Sequence, residues 1–146
     1  MNAVSRAMMR TAGKGAVFAY RRSGGRIGGK ALGGAPVMLL TVAGRKSGEP
    51  HTTAVSYFEH EGGYVVVGSA GGTPDDPQWF RNLRKAATAS IEVGGSPRRT
   101  VGVRVLRGEE RDHVWNDVVL ARVAAFAKYE TKSGRTMPLA LLTPVA

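Results

Sequence analysis

The residues best suited to chemistry lie in a short basic turn, Gly44-Arg45-Lys46-Ser47-Gly48. An apolar run ends at Val42, just before this turn, and a strand-like segment begins at His51, just after it. The two glycines let the backbone approach a ligand closely, while arginine, lysine and serine supply charge and hydrogen-bond donors. This composition is typical of an anion-binding site, although an exposed basic hairpin turn would have the same composition.

A second cluster of small residues, Gly68-Ser69-Ala70-Gly71, follows another strand-like segment and precedes a helix that includes Gln78 and Trp79. Small residues leave room for a flat ring, backbone amides can face that ring, and Trp79 can cover it. Trp79 would serve equally well in core packing. A serine-hydrolase elbow is excluded, because Val67 stands where that motif requires glycine.

Near the C-terminal end, Phe126 and Tyr129 are three residues apart, which places them on one face if the segment is helical. Such a pair can lean over a pocket, or it can cover the end of a barrel. The three histidines have no ligand spacing, so no metal site is predicted. The absence of cysteine excludes disulfides, thiolate metal sites and a cysteine nucleophile.

The net charge of +10 is unevenly distributed along the chain. Residues 1–48 contain nine Lys or Arg and no Asp or Glu, whereas the remaining residues contain twelve basic and eleven acidic side chains. This asymmetry predicts an anionic partner near the N-terminal third: a polyanionic small molecule, an anionic membrane or nucleic acid. Only two aromatic residues, Phe18 and Tyr20, lie among these basic residues, so stacking of nucleic-acid bases on the protein is poorly supported. We therefore do not expect nucleic acid as a partner.

The elements that must position these residues are mainly strands. Alternating or continuous apolar patterns predict six strands, at 37–42, 51–58, 64–68, 89–93, 100–106 and 139–143. Asp76 and Pro77 predict the start of one helix, and Glu109 predicts the start of another. We therefore expect a mainly β, α+β chain: a barrel of about six antiparallel strands with inserted helices. Residues 1–35 would form a basic N-terminal helix and glycine-rich linker, and residues 36–146 the barrel domain.

Taken together, the motifs resemble the deazaflavin-dependent nitroreductase family, which includes F420H2-dependent quinone reductases. The resemblance is carried, in this order, by the runs at 39–50, 64–69, 77–83, 91–93 and 135–138. It implies a split β-barrel related to the flavin mononucleotide-binding oxidases, and an enzyme that uses coenzyme F420. This coenzyme carries an acidic phosphodiester and glutamate tail, and it delivers the hydride itself.

By this resemblance, the basic turn binds the acidic tail, while the second cluster and the start of the following helix enclose the deazaflavin ring. The implied coenzyme-binding residues are Arg45, Lys46, Ser47, Gly48, Thr52, Thr53, Gly68, Ser69, Ala70, Gly71, Gln78 and Trp79. Ser69 and Tyr129 are the expected catalytic residues, and Phe126 and Tyr129 the expected substrate pocket. In nitroreductases, tyrosines in this part of the pocket contact the substrate, and one of them can donate a proton. Tyr129 keeps one such place, whereas Phe126 occupies another and cannot donate. We therefore expect an activated alkene, quinone or nitroaromatic as substrate, with nitro reduction the least favoured of the three.

Alternatives remain open at this stage. The same barrel could bind flavin mononucleotide, or the chain could be a nucleic-acid or membrane-binding module without turnover. We expect a cytoplasmic protein, monomeric or homodimeric, with a small-molecule substrate. The basic N-terminal segment also suggests peripheral contact with an anionic membrane at its inner face.

Overall fold

The computed structural model describes residues 14–69 and 72–145, and these form a closed six-stranded barrel with helices packed around it. The strands are β1 (Val37–Ala43), β2 (Pro50–His60), β3 (Gly63–Val67), β4 (Thr88–Glu92), β5 (Arg99–Leu106) and β6 (Leu139–Pro144). The helices are α1 (residues 14–23 of the described part), α2 (Gln78–Arg84), α3 (Gly108–Val114), α4 (Leu120–Arg122) and α5 (Ala127–Ser133). A π-helical turn, Trp115–Val119, joins α3 to α4, and a 3-10 turn, Ala124–Phe126, precedes α5.

Every pairing in the barrel is antiparallel, in the order β1-β2-β3-β6-β5-β4, which confirms the fold expected from the sequence. The hairpin between β2 and β3 is tighter than predicted. Strand β2 continues through His60, and only Glu61 and Gly62 form the turn, with φ of 50° and 77°. Positive φ at both positions is typical of the two-residue turns whose twist matches that of the flanking strands.

The barrel interior is filled by alternate residues of its strands, as the period of two requires. The buried side chains of this cluster include Met38, Leu40, Val42, Val55, Val66, Ile91, Val101, Ala140 and Leu142. Phe80 and Leu83 of α2 belong to the same cluster and are fully buried. Helix α2 is therefore anchored to the barrel by its apolar side, and this fixes the position of its polar side.

A second core lies where the helical segment 108–133 covers the outward faces of β3 and β6. Val65 and Leu139 pack there against Trp115, Val119 and Phe126. Arg111 is buried at this interface and donates to the Glu130 carboxylate at 2.8 Å and to the Met137 carbonyl at 2.7 Å.

Helix α1 packs on the outward face of β1 through Val17 and Tyr20. The Tyr20 hydroxyl donates to the Val37 carbonyl at 2.9 Å and accepts from the Gly94 N–H at 2.7 Å. Arg21 makes two hydrogen bonds with Glu92 of β4, and this pairing holds the pKa of the Glu92 carboxyl below its usual value. The predicted division of the chain at residue 35 stays a prediction.

Asp76 does not cap α2, contrary to the sequence-based expectation. The helix begins at Gln78 with Pro77 at the N-cap position and no side-chain capping bond. The Asp76 carboxylate instead binds Arg135 and Arg84, each at 2.6–2.7 Å. Ion pairing with two guanidinium groups outcompetes a single bond to a backbone N–H.

We predict that Tyr20→Phe lowers the free energy of unfolding by about 1–3 kcal/mol, since it leaves a buried carbonyl and an amide N–H without their partner. Denaturant-induced unfolding of the full chain measures this change. Tyr64→Phe is the matched control, because the Tyr64 hydroxyl makes no hydrogen bond within the described residues. Equal stability of Tyr20→Phe and wild type would show that α1 is not held by this hydroxyl.

Candidate active site

The basic turn connects β1 to β2 and is closed by its own backbone. The Gly44 N–H donates to the Glu49 carbonyl at 2.8 Å, and the Gly48 N–H donates to the Gly44 carbonyl at 2.9 Å. Gly48 has φ of 75°, a conformation that glycine adopts without strain. The Ser47 hydroxyl accepts from the Glu49 N–H at 3.1 Å, and Lys46 is exposed.

Arg45 is held in place by two neutral side chains of α2. Its backbone N–H and Nη1 both donate to Oδ1 of Asn82, at 3.1 and 2.7 Å, and Nη2 donates to Oε1 of Gln78 at 2.9 Å. Asn82 is only 7% exposed. Gln78 and Asn82 are four positions apart in α2, so both face the turn from the same side of the helix.

The partners of Arg45 orient its guanidinium without neutralising it. Neither Arg45 nor Lys46 forms a salt bridge with any acidic side chain in the described part of the chain. The turn therefore presents two positive charges, one of them on a pre-oriented planar fork. Such a fork suits carboxylate and phosphate oxygens.

Thr52 and Thr53 lie directly after the turn, but their side chains point to opposite faces of β2. The Thr52 hydroxyl lies 2.7 Å from that of Thr41, its partner on β1. Thr53 pairs with Leu40, whose side chain is in the barrel interior. Because successive strand residues alternate, only one of the two threonines can contact a given ligand through its side chain.

The second predicted cluster begins where β3 ends. Gly68 is buried, and an added Cβ would lie 2.8 Å from Cγ of Pro138 and 3.0 Å from the ring of Phe80. Ser69 is half-buried, and its hydroxyl has no hydrogen-bond partner among the described residues. Ala70 and Gly71 lie outside the described residues. Trp79 is half-buried and packs edge-on against Phe80, with ring centroids 5.5 Å apart.

The aromatic pair, Phe126 and Tyr129, lies near the part of this loop that contains Gly72. Phe126 is 1% exposed and lies between Phe58 and Tyr129, at centroid distances of 5.5 and 5.3 Å. Tyr129 is half-buried, and a Cβ on Gly72 would lie 3.3 Å from its ring. Phe126 therefore supports Tyr129 from behind, and of the two it is Tyr129 that lies beside the loop.

Sequence reasoning missed the residues that join these parts. Asn82 lies next to the apolar Leu83 and two positions after Phe80. A polar residue at this place in an apolar pattern is the sign from which a specific hydrogen-bond partner could have been predicted. Arg135 binds three carbonyls of the loop across more than 60 positions of sequence, and no local pattern could predict these contacts.

Two open cavities of the described part lie elsewhere. One, of about 350 Å³, is formed along α1 by Lys14, Val17, Phe18, Arg21 and Arg22. The other, of about 490 Å³, lies beside the β2–β3 turn and includes Glu59, His60 and Arg122. Neither cavity contains a residue predicted to bind the coenzyme.

Comparison with known proteins identifies the class. The model of the F420H2-dependent quinone reductase family matches residues 12–144. An F420H2-dependent quinone reductase of Mycobacterium tuberculosis is 31% identical over 127 residues, which make up 85% of this chain and 84% of that protein. The chain belongs to the F420H2-dependent quinone reductase family, and this confirms the resemblance drawn from its motifs.

Solved structures agree with this assignment. An F420-H2 dependent reductase superposes with a TM-score of 0.62 at 32% identity, covering 73% of this chain and 93% of that one. A second structure, described as a domain-swapped dimer, has a TM-score of 0.66 at 26% identity and covers 97% and 99% of the two chains.

We predict that Gly68→Ala lowers the free energy of unfolding by about 1–3 kcal/mol, because the new methyl group overpacks the contact with Pro138 and Phe80. Gly15→Ala is the matched control. No atom lies within 4 Å of its added methyl group, and we expect a gain of about 0.5–1 kcal/mol in α1. Thermal unfolding monitored by circular dichroism measures both, and a neutral Gly68→Ala would disprove the close approach of β3 and α2.

Proposed function

We propose that this chain is a reductase that takes a hydride from reduced coenzyme F420 and reduces a quinone or another activated alkene. The observation that carries the proposal is Arg45, a cation oriented by Asn82 and Gln78 that has no acidic partner among the described residues. Membership of the family supports the choice of coenzyme over the flavin mononucleotide alternative.

The residues present fit the chemistry of this coenzyme. Its tail is acidic, and the turn supplies the Arg45 guanidinium, the exposed Lys46 ammonium and the Ser47 hydroxyl on a glycine-bounded backbone. Beside Gly68, Ser69 offers a half-buried hydroxyl that has no hydrogen-bond partner among the described residues. We therefore assign the tail to the turn, and the ring to Ser69 with Gln78 and Trp79.

The protein's own contribution is binding, orientation and proton supply. When bound, the reduced deazaflavin supplies the hydride. Tyr129 Oη is the group we propose as proton donor to the substrate, since Tyr129 lies beside the loop that contains Gly72. The Tyr129 hydroxyl has no hydrogen-bond partner in the described part of the chain, so it is available to a substrate oxygen. Phe126 has no hydroxyl and is buried behind Tyr129, so of this aromatic pair Tyr129 is the proposed donor.

Anaerobic mixing of the protein with reduced coenzyme F420 and a soluble quinone tests the proposed function. We expect the visible absorbance of the oxidised coenzyme to return in proportion to protein concentration. A parallel reaction with reduced flavin mononucleotide should show no protein-dependent rate. Turnover with the flavin alone would replace the proposed coenzyme with the alternative one.

We predict that Lys46→Ala weakens binding of coenzyme F420 about two- to fivefold and reduces the dependence of its affinity on salt, because an exposed charge pair contributes up to about 1 kcal/mol and is screened by salt. Fluorescence titration at low and high salt measures both effects. Lys85→Ala, an exposed lysine at the far end of α2, is the matched control. Wild-type affinity of Lys46→Ala at low salt would remove Lys46 from the site.

We predict that Tyr129→Phe lowers kcat at least about tenfold, since a positioned general acid typically contributes about 100-fold or more, while coenzyme affinity changes little. The ring contact with Phe126 is retained in this variant, so packing is preserved. Stopped-flow single-turnover kinetics separates the chemical step from binding. An unchanged kcat would assign the proton to water.

We further propose that α1 touches an anionic membrane from which a lipophilic substrate is taken. Phe18 is 68% exposed and Ile27 is 61% exposed, and Lys14, Arg21 and Arg22 line the same groove as Phe18. Apolar side chains among basic ones suit the interface of an anionic bilayer. Within residues 14–69 and 72–145, no helix is long and apolar enough to cross a membrane.

We predict that Phe18→Ala weakens sedimentation with anionic phosphatidylglycerol vesicles about tenfold, since burying a phenyl group contributes about 1.5–3 kcal/mol. Val145→Ala, which removes a different exposed apolar side chain, is the control. Equal binding of wild type and Phe18→Ala would contradict membrane contact through α1.

The oligomeric state is proposed as monomer or homodimer, and the similarity to a structure described as a domain-swapped dimer supports the dimer. Analytical ultracentrifugation decides between them. The cytoplasmic location stays a prediction.

A further inference from the structure

We infer that Arg135 is a positioning residue for the coenzyme: it holds the loop that follows β3 so that Ser69 faces the deazaflavin ring. This inference rests on the proposed function and adds to it a residue outside the turn, the loop and the aromatic pair. Arg135 lies between α5 and β6, and its side chain is 15% exposed.

All three nitrogens of the guanidinium group are engaged, and each binds a different carbonyl of the loop. Nη1 donates to Gly68 O at 3.1 Å, Nη2 to Ser69 O at 2.9 Å, and Nε to Thr73 O at 3.0 Å. Nη1 also donates to Oδ1 of Asp76 at 2.7 Å. A planar fork with five donors can satisfy these acceptors together, whereas a single ammonium group cannot match that arrangement.

The carbonyl contacts determine where the neighbouring N–H group points. In a planar trans peptide, the C=O and the following N–H point in opposite directions. Because Gly68 O points at Arg135, the Ser69 N–H points away from it. This N–H and the Ser69 hydroxyl have no hydrogen-bond acceptor in the part of the chain that the structure describes. The Ser69 N–H is therefore directed away from the arginine, where a ring oxygen or nitrogen can accept from it, and the Ser69 hydroxyl is available for a second bond.

The same contacts connect the ring side of the site to the tail side. Asp76 bridges Arg135 to Arg84 of α2, with Oδ2 accepting from Arg84 at 2.6 Å. Asn82, on the same helix, holds Arg45 in the basic turn. Arg135 thereby sets the position of the Ser69 loop relative to the helix that orients the tail-binding arginine.

The test compares two ligands: complete coenzyme F420, and its deazaflavin–ribityl fragment, which lacks the phosphodiester and the glutamates. For Arg135→Lys we expect the affinity for both ligands to fall by the same factor, about tenfold, because an ammonium group cannot hold the three loop carbonyls together and the hydrogen bonds from Ser69 to the ring are lost. Lys46→Ala should weaken only the complete coenzyme. Arg104→Lys, which alters an arginine paired with Glu110 elsewhere on the barrel, should bind both ligands as wild type does.

Fragment affinity at the wild-type level in folded Arg135→Lys would overturn the inference. Loss of affinity for the complete coenzyme alone would also overturn it, since Arg135 would then act on the tail. If Arg135→Lys does not fold, Asp76→Asn takes its place, because it removes the ion pair and keeps the three carbonyl contacts. We expect a smaller loss for the fragment in that variant, and no loss would reject the inference. If wild type binds neither ligand, the proposed function itself fails, and the role of Arg135 with it.

Discussion

The burial of Phe80 and Leu83 in the barrel core fixes α2, and the candidate site is organised around that helix. Full burial of two such side chains contributes roughly 1.5–3 kcal/mol each, far more than any single polar contact at the surface. With its apolar side held, the helix presents Gln78 and Asn82 to the turn between β1 and β2. It also presents Arg84 to Asp76, and through it to Arg135. The precision of the site thus comes from apolar packing that contains none of its functional groups.

The electrostatics of the site follow from the choice of neutral partners. An acidic partner would orient Arg45 equally well, but it would cancel the charge that an anionic ligand needs. Asn82 and Gln78 provide orientation through amide oxygens and leave the positive charge in place. Elsewhere on the surface, Arg21 and Arg104 are paired with Glu92 and Glu110, and the pKa of each carboxyl is lowered by its arginine. The contrast separates these two arginines, which are paired with carboxylates, from Arg45, whose charge stays available for a ligand.

Most of the fold could be predicted from the sequence, because alternation along each strand records which face is buried. The six strands, the helix near Gln78 and the basic turn all follow from local patterns. The hydrogen bonds that connect the parts of the site could not be predicted from local patterns, because they join residues far apart in sequence. Asp76 illustrates the limit: its position before Pro77 predicts a helix cap, yet the distant Arg135 binds its carboxylate. Thr52 and Thr53 illustrate a second limit: they belong to one motif, yet their side chains point to opposite faces of β2.

The central claim is that the basic turn binds the acidic tail of coenzyme F420 while Ser69 faces its ring. A crystal structure of the complex with the oxidised coenzyme tests this most directly. We expect a phosphodiester or carboxylate oxygen within hydrogen-bond distance of the Arg45 guanidinium, and a ring heteroatom within reach of the Ser69 N–H or hydroxyl. A coenzyme bound with its tail away from the turn, whether along α1 or beside the β2–β3 hairpin, would contradict the account.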